Sequence, residues 1–219
     1  MSYQLVGYPL CPFVQRVLIA LNYKKVAHEL TWLDPHGELP DWFNAWSPLG
    51  KVPVMKVSER DVLFESLAIV EFIEEEHPEH SLYETCPISR AKDRAWAGVA
   101  GELYGPQYMS MRTKTVEDAD QYFDALKATL AILENEKNPD TRYFSRDQFS
   151  LVDLVLAPMF ARFMIVDELR SGDLLSGFPK LAALRDTLLN EPFIAPMIDR
   201  EWKENFIKNM AKNGGVFFN

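Results

Sequence analysis

The stretch Tyr8-Pro9-Leu10-Cys11-Pro12-Phe13-Val14-Gln15-Arg16-Val17 decides how this chain is read. It follows a short apolar run, residues 4–7, and opens a helical pattern over residues 14–21. A strand thus ends in a turn, and the turn delivers a thiol to the first step of a helix. Proline suits that first position, because its missing N–H would have no partner there. The unbonded N–H groups and the positive end of the helix then face the sulfur. A thiolate so placed is stabilised, and its pKa falls from about 8.5. The plainer alternative is a small buried cysteine at a helix start.

Working outward, the N-terminal third alternates in type. Residues 4–7 and 27–33 read as strands, and residues 12–21 as a helix with Val14, Val17, Leu18 and Leu21 on one face. A loop over 34–44 carries a short helix at 40–45. Residues 52–57 and 62–65 read as two further strands, and the gap between them, 58–61, has hairpin length. Residues 66–76 form a helix with Leu67, Ile69, Val70 and Ile73 inward. The order β-α-β-α-β-β-α is that of a thioredoxin-like domain, bounded at 1–77. Residues 78–89 read as a linker. Residues 90–219 read as an all-α domain, so the fold class is α/β followed by all-α. Its helices are expected at 90–112, 116–136 and 154–169, the last behind a Ser150-Leu151-Val152-Asp153 capping box. Shorter segments follow at 180–189 and 193–210. The tail, 213–219, is read as loose or docked by its two phenylalanines.

Composition narrows the function. Hydrophobic residues make up 47% of the 219, enough for a sizeable core. A formal net charge of -9 argues against nonspecific nucleic-acid binding, while leaving room for a local basic site. The two cysteines, Cys11 and Cys86, form neither a metal-ligand cluster nor a disulfide framework, so no metal is expected and a reducing, cytoplasmic setting is. No signal-peptide pattern and no apolar run of about 18–20 residues is found, so no membrane segment is expected.

Three stretches, taken in order, resemble the cytosolic glutathione S-transferases, and among them the cysteine-type, omega-like members. They are Cys11-Pro12-Phe13-Val14-Gln15-Arg16, then Trp46-Ser47-Pro48-Leu49-Gly50-Lys51-Val52-Pro53-Val54, then Leu63-Phe64-Glu65-Ser66-Leu67-Ala68-Ile69. Ser150 to Asp153 matches the family's capping box, and Pro40-Asp41-Trp42-Phe43 is also omega-like. The resemblance covers nearly the whole chain and implies the glutathione S-transferase fold.

It also implies roles. Pro53 is expected to be cis, presenting the main-chain N–H and C=O of Val52 to the cysteinyl part of glutathione as an added strand. The reading without a ligand is a proline at the start of an edge strand. Glu65 is expected to receive the α-amino group of the γ-glutamyl end, and Ser66 its carboxylate. The physics agrees, since a helix-starting N–H favours an anion and a carboxylate favours an ammonium. The alternative is a routine strand-end Glu and an N-cap Ser. For the glycine carboxylate, omega-like members place a lysine where this chain has Leu39. Lys51 and His36 are the candidates left, and both are also compatible with plain solvation. Phe13 is expected beside glutathione, shielding the thiol. An electrophile pocket is expected from Leu10, Tyr104, Tyr108, Met109 and Met111, on the principle that aromatic and Met side chains suit an adaptable apolar site.

Cys11 sets the expected reaction. A cysteine at this place can attack a glutathione mixed disulfide, and with no second cysteine nearby the resolving thiol must be glutathione itself. Thiol transfer or dehydroascorbate-type reduction is therefore expected over aryl-halide conjugation. Tyr8, at the strand end, is the runner-up catalytic group. Cys86 is read as a bystander. The rival reading is a binding or regulatory module of the same fold without catalysis; a specialised reductive dehalogenase or ether-cleaving enzyme is a third. The resemblance further implies a homodimer that takes glutathione and a small hydrophobic electrophile or disulfide.

Overall fold

A computed structural model describes residues 2–35 and 37–218. The chain divides between Ser81 and Leu82 into two units.

The first unit carries β1 (Tyr3–Gly7), α1 (Pro12–Tyr23), β2 (His28–Trp32), α2 (Asp41–Trp46), β3 (Val54–Lys56), β4 (Val62–Phe64) and α3 (Ser66–Glu76). Its sheet has the order β2-β1-β3-β4. β1 and β2 are parallel, joined by α1 as the crossover, while β3 runs antiparallel to both β1 and β4. Val6 pairs with Val54 across β1 and β3, and both meet Leu33 and Phe43 in one cluster. Leu5 and Met55, one residue along, point to the opposite face and are equally buried. Burial on both faces explains why Leu5 and Val6, adjacent in β1, are both apolar.

α1 is buried along its whole middle, Val14 through Leu21, and packs on α3. Its approach to the sheet depends on Gly7. A Cβ at that position would lie 2.4 Å from Val14 Cγ2. The helix ends with Lys25 at φ +57°, Val26 N–H donating to Leu21 O at 2.8 Å, and Lys24 at the C-cap. The Lys24 side chain is fully buried. It pairs with Glu74 at 2.7 Å and donates to the carbonyls of His77 (2.7 Å), Glu79 (3.2 Å) and His80 (3.3 Å). One ammonium thereby fixes α1, α3 and the chain leaving them.

The second unit carries α4 (Pro87–Gly101), α5 (Tyr104–Ser110), α6 (Val116–Glu136), α7 (Leu151–Arg170), α8 (Pro179–Leu189), a short 3-10 turn (Ala195–Met197) and α9 (Arg200–Lys212). α7 is central, packing on α4 and α8 and buried almost throughout. The capping box is present at its start. Asp153 accepts from the Ser150 N–H, the Ser150 hydroxyl and the Phe144 N–H. Complete burial still pushes its carboxyl up to about 6. Arg146 ties Asp93 of α4 to the carbonyl of Leu82.

Two sequence expectations change here, and a third, left open, is decided. The helix expected over 90–112 is two helices, broken at Glu102 and Leu103. Pro106 lacks the N–H that would bond the Glu102 carbonyl, and the N–H groups of Glu102 and Leu103 reach back only three residues. The linker drawn over 78–89 is shorter. Leu82 and Tyr83 are already buried, and α4 starts at Pro87. Of the two readings of the tail, the docked one holds: Phe218 is buried, Val216 N–H bonds Thr113 O, and Phe217 lies beside Phe123 and Arg170. Among the described residues no helix is long and apolar enough to cross a membrane.

Candidate functional site

Cys11 is the N-cap of α1, with Pro12 at N1. Its N–H closes a turn onto Tyr8 O at 3.1 Å, and its carbonyl accepts the first helical bond, from Gln15 N–H, at 3.1 Å. The thiol is half-buried and in no disulfide. The helix start expected from the sequence is therefore present in backbone detail. Tyr8 is packed against the Val6–Phe43 cluster.

A cleft of about 160 Å³ opens in the first unit. It brings together Phe13, Lys51, Val52, Pro53, Glu65 and Ser66, six residues that the sequence assigned to one ligand. The residue α1 contributes to the lining is Phe13, and Cys11 stands two positions before it.

Each wall has a local cause. The Val52–Pro53 bond is cis. Ahead of it, Ser47 pins the loop. Its hydroxyl donates to Lys51 O and accepts from Lys51 N–H, both at 2.8 Å. Gly50 sits at φ +62°, a conformation glycine adopts without penalty, and its N–H bonds Ser47 O. Lys51 is exposed and Val52 packs on the Val6–Phe43 cluster. Across the cleft, Glu65 caps α3 at φ 66°, ψ 113°, a region that non-glycine residues rarely occupy. Its carbonyl starts the helix by accepting from Ile69 N–H. A strained residue at a cleft is a pointer to function. Ser66 is the first helical residue, buried at 5% exposure, with its hydroxyl bonded to Arg16 Nη1 at 3.1 Å.

The other predicted residues do not line this cleft. Leu10 is half-buried in the turn before Cys11. Tyr104 is buried and donates its hydroxyl to Val155 O at 2.6 Å. Met111, at the C-cap of α5, is 2% exposed. Both are packed within the second unit. Tyr108 is exposed, its hydroxyl bonded by Arg112, and Met109 is exposed beside it. His36 lies outside the described residues, and Leu39 packs on the sheet cluster. Sequence reasoning gave no task to Ser47, Leu49 or Phe64, which also line the cleft, or to Arg16 behind it. The first three stand inside the stretches quoted above, so position within a motif was the available signal.

The family model for the glutathione S-transferase N-terminal domain matches residues 10–76, and that for the C-terminal domain matches residues 116–187. The chain belongs to the glutathione S-transferase family. Glutathione S-transferase omega-1 of Rattus norvegicus is 27% identical over 83% of this chain and 74% of its own. The Oryza sativa subsp. japonica protein named "Probable glutathione S-transferase DHAR1, cytosolic" is 32% identical over 72% of this chain and 69% of its own. Among solved structures, glutathione transferase Omega 3C from Trametes versicolor superposes with a TM-score of 0.82 at 26% identity, covering 97% of this chain and 91% of that one. This transferase is thus an omega-like, cysteine-type member with the fold expected.

Proposed function

We propose that this transferase uses Cys11 to move glutathionyl groups, reducing mixed disulfides and substrates of the dehydroascorbate type with glutathione as co-substrate. The observation that supports the reading is a thiol at the start of α1, two residues before Phe13, which lines a cleft together with Val52, Glu65 and Ser66.

The Val52 main chain pairs with the cysteinyl segment of glutathione. Glu65 takes the ammonium of the γ-glutamyl end, the Ser66 N–H and hydroxyl take its carboxylate, and Lys51 takes the glycine carboxylate. The Cys11 thiolate attacks the glutathionyl sulfur of a mixed disulfide. A Cys11–glutathione disulfide forms, and the substrate leaves as a thiolate that gains a proton. A second glutathione thiolate then attacks the glutathionyl sulfur on Cys11. Oxidised glutathione leaves and the Cys11 thiolate is restored. No protein thiol is needed for the second step. A homodimer in the cytoplasm completes the proposal. It is supported by the exposed apolar residues Phe64, Leu67 and Ile88 for association, and by the Oryza sativa relative named as cytosolic for location.

Incubation with oxidised glutathione followed by peptide mass mapping tests the chemistry. One glutathionyl group on Cys11 is expected. An unmodified Cys11, or a Cys11→Ala variant that still transfers thiols, overturns it. Calorimetry separates the rival: no glutathione binding at millimolar ligand leaves a transferase fold used as a binding module.

A further inference from the structure

Arg16 has no task in the function proposed above, yet it is built into the same site. It lies on α1, five residues after Cys11, and is 4% exposed. Its Nη1 donates to Ser66 Oγ at 3.1 Å, and its guanidinium carbon stands 5.1 Å from the centre of the Phe13 ring. Phe13 and Ser66 both line the cleft, and Arg16 backs each of them.

The direction of the hydrogen bond matters. A guanidinium offers donors only, and it keeps its charge at any pH the protein experiences. Ser66 Oγ must therefore be the acceptor. Its single hydrogen turns away from Arg16 and is left for another partner. The Ser66 N–H, at the first position of α3, has no partner within the helix. Hydroxyl and amide then form a fork with two donors, which fits a carboxylate and does not fit a carboxamide that presents N–H groups of its own.

We infer that Arg16 is a positioning residue that locks the Ser66 hydroxyl as a donor and so makes this end of the cleft selective for a carboxylate. The inference rests on the glutathione reading of the cleft, where the γ-glutamyl carboxylate is the ligand group concerned. Arg16 touches no ligand in this account and acts through Ser66.

A double-mutant cycle tests it. Binding of glutathione is measured by calorimetry for the native protein, Arg16→Leu, Ser66→Ala and the double variant, together with KM and kcat. Each single change is expected to weaken binding by about tenfold, the scale of one hydrogen bond to a charged group. The double variant is expected to bind no worse than the weaker single, because Arg16 acts through the Ser66 hydroxyl, which Ser66→Ala already lacks. KM rises while kcat at saturation stays within about twofold, the pattern of lost uniform binding. Glutathione amidated at the glutamyl α-carboxylate is the second probe. The native protein prefers the carboxylate form, and Arg16→Leu loses most of that preference.

Singles whose effects multiply in the double variant overturn the inference, as does an Arg16→Leu protein that keeps full carboxylate preference. Should Arg16→Leu not fold, Arg16→Gln carries the test. Its amide can turn either oxygen or N–H2 to Ser66, so the hydroxyl is no longer forced to donate. The preference for carboxylate must fall, and an unchanged preference overturns the inference. A native protein that binds no glutathione removes the site reading itself, whereas binding with independent penalties removes the role of Arg16 alone.

Discussion

The two cysteines stand in nearly the same backbone setting. Cys11 caps α1 and Cys86 caps α4. Each is extended, at φ -78°, ψ 123° and φ -67°, ψ 123°, and each is followed by a proline at N1. Cys86 is exposed, and the N–H of Ser89, then the N–H of Ile88 and the Ser89 hydroxyl, hold its thiol below the usual value. The helix start contributes two of the three hydrogen bonds that acidify this thiol. What separates the two is the neighbourhood. Phe13, two residues past Cys11, lines a cleft with Val52, Glu65 and Ser66, while Ile88, two residues past Cys86, is 69% exposed. Acidity is cheap and local, whereas a site also needs groups that hold the second reactant.

The largest effect separates the thiols directly. Cys11→Ala is expected to lower glutathione-dependent disulfide reduction by roughly three orders of magnitude or more, the scale seen when a nucleophile is removed. Cys86→Ala is expected to stay within about twofold. A steady-state assay of both variants decides it, and equal losses would break the comparison.

The next effect lies at the far end of the helix that bears Cys11. α1 ends on the buried Lys24, whose positive charge suits a helix C-terminus. Lys24→Met takes away the ammonium that faces Glu74, itself buried, and leaves three carbonyls without its hydrogen bonds. Denaturant unfolding should show a loss of roughly 3–5 kcal/mol, the range for breaking a buried pair from one side. α4 ends instead at Glu102, with no such knot among the described residues.

Two glycines give opposite signs. Gly7→Ala drives a methyl into Val14, and overpacking of this kind costs about 1–3 kcal/mol. The strain falls on the β1–α1 contact that places Cys11, so thiol transfer should drop along with the melting temperature. Gly98 in α4 has nothing within 4 Å of an added Cβ. Gly98→Ala should stabilise by about 0.5–1 kcal/mol, because alanine gives up less backbone freedom on folding. Paired thermal melts check both signs.

The parts of this molecule that were legible in the sequence are those with short-range signals. Thr115 accepts from Asp118 N–H and opens α6 where the apolar pattern begins. The Ser150–Asp153 box, the β3–β4 hairpin and the Cys11-Pro12 turn each announce themselves within a few residues. The cleft residues were found because their stretches came in a familiar order. What stayed hidden depends on distant partners. Lys24 reads as a surface residue until Glu74, fifty positions on, is brought beside it. Arg16 reads as a polar interruption of an apolar helix until Ser66, also fifty positions on, receives its hydrogen bond. Tyr104 likewise gives no sign of its partner until Val155 of α7, fifty-one positions on, accepts its hydroxyl.

The smallest effect asks how much of the Cys86 acidity belongs to the helix and how much to one side chain. In the Cys11→Ala variant Cys86 is the one remaining thiol, so its alkylation rate against pH reports it alone. The thiolate is the reactive form, so a lowered pKa moves the rise in rate to lower pH than for a free thiol. Ser89→Ala removes the hydroxyl, the third of the three contributions, and keeps both N–H groups. The midpoint should therefore climb less than halfway back to the free-thiol value. A full return would mean that the hydroxyl, not the helix start, acidifies Cys86. The same doubt would then extend to Cys11, whose place at a helix start is the argument for its thiolate.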